Sequence, residues 1–202
     1  LTEDLAKKIA KISNVETAFN RYIQSAPIEF NDHQDIGFAA TVPEGENRKI
    51  FETMVNLKAE EGRLLKEGDG RRVTVGNDFK KDERFGKPVR VGDKILINGI
   101  SYEVIGLLEK KGSFIFDSSI LMNEDTLLDD LNKSKDNVNV IAVKVKDKNA
   151  VDDVKQDVEK LLRKERNVDE GEEDFSVQSP QATLEALNST LFAVQLFVYV
   201  IA

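Results

Sequence analysis

The chain has 202 residues, 40% of them hydrophobic and 33% charged, with a formal net charge of -8 and no cysteine. The acidic balance argues against a nucleic-acid binder, which needs a basic face to neutralise phosphates. Without cysteine there is no disulfide framework, thiolate zinc site or cysteine nucleophile, and the length suits one large domain or two small ones with a real core.

In chain order, Leu5, Ala6, Ile9 and Ile12 recur at helical spacing behind Thr2, predicting an amphipathic helix over the first dozen residues. From Val15 to Val42 the β-branched and aromatic residues of VETAFNRYIQSAPIEF and IGFAATV predict two strands around a turn at Asn31-Asp32. Pro43-Glu44-Gly45-Glu46-Asn47 reads as a linker. The stretch NRKIFETMVNLKAEEGRLL that follows has weaker patterning.

Between Val89 and Leu108 the run VRVGDKILINGISYEVIGLL is the most legible part of the chain. Asn98-Gly99 supplies the two positive-φ residues of a type I′ turn between strands, so a hairpin is expected. Asn123 is placed to cap a helix over Glu124–Leu131, with Leu127, Leu128 and Leu131 on one side. A strand follows over Val138–Val145. A helix opened by Asn149 then carries a stripe of Val151, Val154, Val158, Leu161 and Leu162. Asp169-Glu170-Gly171-Glu172-Glu173-Asp174 forms an acidic loop, and Phe175-Ser176-Val177 is expected to be a short strand. Ser179-Pro180 then starts a last helix.

These patterns give an α+β fold in which residues of roughly 65 to 132 interrupt a discontinuous subdomain. No internal repeat or low-complexity tract is present.

The last helix runs into STLFAVQLFVYVIA, residues 189–202, whose final thirteen residues carry no charge. Two readings fit: a helix buried in a core or dimer interface, or the first part of a membrane span. The abrupt finish at Ala202 and the start on Leu1 rather than Met suggest a piece of a longer chain.

Candidate chemistry is sparse. His33 is the only histidine and sits between Asp32 and Asp35, short of the three or four converging ligands of a metal site. The 169–174 loop lacks the alternating ligand spacing of an EF-hand. Gly68-Asp69-Gly70 and Gly76 read as turns, and with no GxxxxGK[ST] or GxGxxG the chain is not itself an ATPase. Ser113, Ser118 and Ser119 have no histidine base beyond His33 to activate them. Lys80-Lys81 and Arg71-Arg72 read as solvated charge pairs. No catalytic, cofactor-binding or metal-binding residue is therefore assigned.

The order of segments is more telling than any motif. EGRLL at 61–65 is followed by GKPVRVGDKILINGISYEVIGLLEKKGS at 86–113 and NVNVIAVKVKDKNAVDDVKQDVEKLLRKER at 137–166, and then by DFSVQS and the apolar terminus. This succession resembles the extracytoplasmic core domain of MacB-type, FtsX-like ABC transporter permeases.

The resemblance implies a porter-like βαβ subdomain with an inserted α/β subdomain, set between the first and second of four membrane helices. It divides the chain at 1–64 (first porter-like half), 65–132 (insertion), 133–179 (second half) and 180–202 (helix leading into a membrane segment). It also implies a non-catalytic role, no cofactor, and a cell-membrane location facing the periplasm or exterior. The implied partners are a second permease copy, a cytoplasmic ABC ATPase and an envelope protein. On this reading Leu191–Ala202 is the outer end of the second span, and Leu1–Ile12 continues the first. Two other readings stay open: a soluble ligand-binding or enzyme domain with a C-terminal dimerisation helix, and an adaptor for a cell-wall hydrolase.

Overall fold

The computed structural model describes residues 2–131, 134–135 and 138–179, and only the backbone of Glu3, Phe114 and Ile115. The predicted last helix and the apolar run Leu191–Ala202 lie outside the described residues. The remainder packs into two compact units: residues 2–7 with 18–142, and residues 8–17 with 143–179.

Helix α1 (Glu3–Ile9) buries Leu5, Ala6 and Ile9, as its spacing predicts. The next apolar run forms three strands rather than two: β1 (Val15–Arg21), β2 (Ile23–Phe30) and β3 (His33–Val42). The break falls at Arg21-Tyr22. The buried Arg21 guanidinium turns onto the Thr41 carbonyl, with Nε at 3.0 Å and Nη2 at 2.7 Å. The Tyr22 backbone bonds Thr41 Oγ1 at 3.0 Å. β1 pairs with β9 (Val140–Val145) in a two-stranded sheet, whereas β2 pairs with β3. A change of partner within a continuous apolar run leaves no trace in periodicity. Asn31 and Asp32, at φ 51° and 59°, make the predicted tight turn between β2 and β3.

The expected linker already holds the first turn of α2 (Glu46–Met54), which buries Arg48 and Phe51. After β4 (Ala59–Gly62) and β5 (Arg72–Val75) come a 3₁₀ turn (Asn77–Lys80) and the short α3 (Asp82–Phe85). The expected hairpin follows as β6 (Lys94–Ile97) and β7 (Ile100–Leu108), with Asn98 and Gly99 at φ 51° and 77°. Then come α4 (Phe114–Asp117), β8 (Ser119–Asn123) and α5 (Glu124–Asp130).

Seven strands of the first unit form one sheet in the order β4-β7-β5-β8-β3-β2-β6, and β6 pairs back onto β7. The sheet therefore closes on itself. Strand β7 is long enough to hold β6 along Ile100–Glu103 and β4 along Gly106–Leu108 on the same side. The pairs β3–β8 and β5–β7 are parallel, and the other pairs in the ring are antiparallel. One apolar cluster gathers Ile28, Val73, Phe79, Phe85, Ile95, Val104 and Ile120. A second gathers Phe19, Val42, Phe51, Leu57, Ile105 and Leu121. Alternate residues of the strands feed different clusters, as a pleat requires.

Two helix starts differ from expectation. Asn123 does precede α5, but its side chain makes no cap bond. Its Oδ1 accepts from Arg48 Nη2 at 2.8 Å and its Nδ2 donates to the Lys66 carbonyl at 2.8 Å, because the buried Arg48 is a stronger claimant than an end-of-helix amide. The later helix opens through a 3₁₀ turn, Lys148–Ala150, capped by Asp147, whose Oδ1 accepts from Asn149 N–H at 2.9 Å.

In the second unit α6 (Val151–Arg166) buries Val154, Val158 and Leu162. Arg163 pairs with Glu173 at 2.7 Å, and Arg166 pairs with Asp174. These pairs pin the acidic loop to the helix, and 175–177 forms no ladder, so the expected short strand is absent.

Candidate functional site

The chemistry-bearing residues singled out from the sequence do not converge. His33 begins β3, exposed, with Nδ1 2.7 Å from the Asn31 carbonyl. Asp35 turns instead to Arg84, whose Nε donates to Oδ2 at 2.6 Å. Ser118 Oγ donates to Asp78 Oδ2 at 2.8 Å, and Ser119 Oγ donates to the Phe116 carbonyl at 3.0 Å. Asp69 accepts both Nη groups of Arg63 at 2.7 Å and the Lys66 N–H at 2.7 Å, fixing the Gly68-Asp69-Gly70 turn. Among the described residues no group of three or more His, Cys, Asp or Glu side chains is placed to hold a metal ion.

What the sequence did not reveal is a cleft of about 370 Å³ in the first unit, beside the N-terminal half of β3. One wall is β3 itself from Asp35 to Phe38. Ser118, just before β8, forms the end, and Asp78, Lys81, Glu83 and Arg84 form the far wall. Three local features build it. Phe79 and Phe85 are fully buried, 5.9 Å apart, and anchor the 3₁₀ turn and α3 from below. Arg84 lies over both rings, 4.1 Å from the centroid of Phe79 and 5.3 Å from that of Phe85. Gly37 lets the guanidinium lie against the strand, since a Cβ there would sit 2.9 Å from Arg84 Nη2 and 2.1 Å from Ile28 Cδ1.

The charges of the cleft are mostly paired. Hydrogen bonds from Lys81 and then Ser118 hold the Asp78 carboxyl below its ordinary range, so it stays ionised at neutral pH. Lys81 Nζ is 2.6 Å from Asp78 Oδ1. Ile36 projects from this wall with 71% of its surface exposed.

A second cavity of about 270 Å³ is lined by Phe19, Tyr22, Glu44, Asn47, Glu124 and Lys135 among others. Burial, with Asp125 and Glu67 nearby, raises the Glu44 pKa. Neither cavity assembles a nucleophile, base and oxyanion donor around one point.

Signals for the first cleft did exist in the sequence. Two aromatics bracket the charged run FKKDERF at 79–85, and apolar residues that interrupt a solvated stretch mark a segment returning to the core.

The closed mixed sheet and helices define an α+β domain. Residues 1–161 match the MacB-like periplasmic core domain family, and the chain belongs to that family. An uncharacterised ABC transporter permease of Methanocaldococcus jannaschii, MJ1507, is 26% identical over all 202 residues. The chain spans about half the length of that relative, 49%. Two solved structures share the fold at 16% identity. The periplasmic region of MacB from Actinobacillus actinomycetemcomitans has a TM-score of 0.65, covering 93% of this chain and 83% of that one. The extracellular domain of the noncanonical ABC-type transporter YknZ from Gram-positive bacteria has a TM-score of 0.63, covering 84% and 86%.

Proposed function

We propose that this chain is the extracytoplasmic domain of an ABC transporter permease, and that it passes an ATP-driven conformational change across the membrane for export or for handling an envelope substrate. The observation that carries the reading is the family match over residues 1–161, together with a permease relative aligned along the whole chain. The domain performs no chemistry of its own in this scheme. ATP is hydrolysed by a cytoplasmic ATPase, the permease works as a pair of copies, and an envelope protein docks on the outward face.

Mechanical transmission needs stiff connections, and flexible linkers dissipate displacement. The division at residues 64, 132 and 179 belongs to this proposal. In it, 65–132 is an insertion in chain order whose strands β5 to β8 share one sheet with β2 and β3. No helix among the described residues is long and apolar enough to cross a membrane, so the scheme places the spans beyond them.

The test uses the full-length permease in its membrane. A flexible Gly-Ser segment inserted after Ser189 should abolish transport while ATP binding by the partner ATPase persists. Unchanged transport refutes transmission through this connection.

A further inference from the structure

We propose that the open edge of β3 at Gln34–Ile36 is a docking edge for an extended segment of a partner protein, which adds as a strand along the cleft and directs a basic residue to Glu83. The argument begins with the ladder. The two-residue turn at Asn31-Asp32 makes Phe30 and His33 the closing pair of the β2–β3 hairpin. In such a hairpin the N–H and C=O groups of alternate residues point to the same side. Those of His33, Asp35 and Gly37 therefore face β2, and those of Gln34, Ile36 and Phe38 face away from it.

On that outer side β8 pairs only with Phe38–Val42 and begins at Ser119. The outward backbone groups of Gln34 and Ile36 therefore lie on the side of the cleft, which Ile36 lines and which ends at Ser118, the residue before β8. The Ile36 N–H donates to Asp35 Oδ1 at 2.8 Å, while Asp35 Oδ2 holds Arg84. The Asp35 side chain thus does for this edge what a partner strand's carbonyl would do, and among the described residues no strand lies opposite the remaining ladder groups of Gln34 and Ile36.

Sheet edges are normally protected by charge, proline or a covering loop. Here one edge donor is covered by an ion-paired carboxylate, yet the most exposed large aliphatic side chain of the described residues, Ile36, stands beside it. An added strand would lay an apolar side chain against Ile36 and Phe38, the way strand-addition complexes gain specificity. The charge of the partner follows from the pairing in the cleft. Arg84 is matched by Asp35 and Lys81 by Asp78. The exposed carboxylate of Glu83 influences Lys81 from a distance but makes no direct ion pair among the described residues, so it can take a cation. A second copy of this chain fits poorly, because it would bring the same acidic groups and a net charge of -8 to the same edge. The inference stands independently of the transport reading.

The probe is the capped peptide acetyl-Lys-Val-Thr-Val-Lys-amide, titrated to millimolar concentration into the ¹⁵N-labelled chain. Two further peptides carry N-methyl groups, one on both valine amides and the other on the threonine amide. The expected result is saturable shifts and slowed exchange centred on the Gln34 and Ile36 amides, lost with one N-methyl pattern and kept with the other. Ile36→Asp should weaken binding about fivefold, and Glu83→Gln about twofold with less salt dependence. Both positions are exposed and leave the fold intact. The proposal is overturned if those amides do not respond, if both methylated peptides bind like the parent, or if sedimentation shows a dimer that Ile36→Asp dissolves.

Discussion

Replacing Phe79 by alanine removes the ring on which the cleft wall rests. Phe79 is 0% exposed, lies 5.9 Å from the Phe85 ring, and carries Arg84 at 4.1 Å on its face. Truncating a fully buried phenylalanine costs about 3–5 kcal/mol in transfer and cavity terms, a range that already contains the aromatic contacts. At about 2–4 °C per kcal/mol for a domain of this size, a cost of about 4 kcal/mol lowers Tm by roughly 8–16 °C. The assay is urea denaturation followed by circular dichroism, where the midpoint should fall with little change in slope. A milder variant, Phe79→Leu, combined with Arg84→Gln in a double-mutant cycle, isolates the cation–ring contribution, expected at about 1 kcal/mol for a guanidinium this well covered. A loss below about 1 kcal/mol for Phe79→Ala, set against the usual range, would refute the view that this ring anchors the wall. A zero coupling energy would show that the Phe79 face contributes nothing to holding Arg84, leaving Asp35 and the Phe85 ring.

Three other outcomes follow from the same geometry. Gly76→Ala places a Cβ 2.3 Å from the carbonyl oxygens of Phe116 and Asp117, so stability should drop by about 2–3 kcal/mol in urea titration even though the residue has an ordinary backbone conformation. Tyr102→Phe deletes the hydroxyl that donates to Asp130 Oδ2 at 2.8 Å while leaving Arg71 on that carboxylate. A loss of about 1.5 kcal/mol is expected, with the melting curve still cooperative. The hydrogen bond from Arg63 lowers the Asp69 pKa from 3.8 to about 2. Because the folded value lies below the unfolded one, the stabilisation is complete above about pH 4 and disappears as pH falls toward 2, worth about 1 kcal/mol after solvent screening of Arg63. The stability gap between the parent and Asp69→Asn, measured at pH 6, 4 and 2.5, should narrow across that interval.

Legibility in the sequence followed the range of the forces involved. The β6–β7 hairpin is written in two adjacent residues, Asn98 and Gly99, and the α6 stripe in spacings of three and four. Both are local and both appear in the structure. The closure of the sheet is not local. It depends on β3 choosing β8 as a parallel neighbour and on β6 meeting both β2 and β7, choices that hydrophobic alternation does not encode. Asn123 stands at the cap position of α5 without making the cap bond, for a related reason. Its spacing before α5 was correct, but Arg48, 75 residues away, takes the side-chain oxygen. The cleft was hidden in the same way. Arg84 and Asp35 are 49 residues apart, and each alone reads as a solvated charge.

The parallel β3–β8 pair also sets an order of assembly. A chain made from its N-terminus completes β2 and β3 first, and at roughly 5–20 residues per second several seconds pass before β8 emerges. During that interval the whole outer edge of β3, from Gln34 to Val42, stands open, and loop-closure entropy opposes the late arrival of its neighbour. A ribosomal pause between the codons for Val42 and Ser119 would lengthen this exposure. Aggregation in newly made protein should then respond to synonymous changes in that interval more than to changes downstream of Asn123.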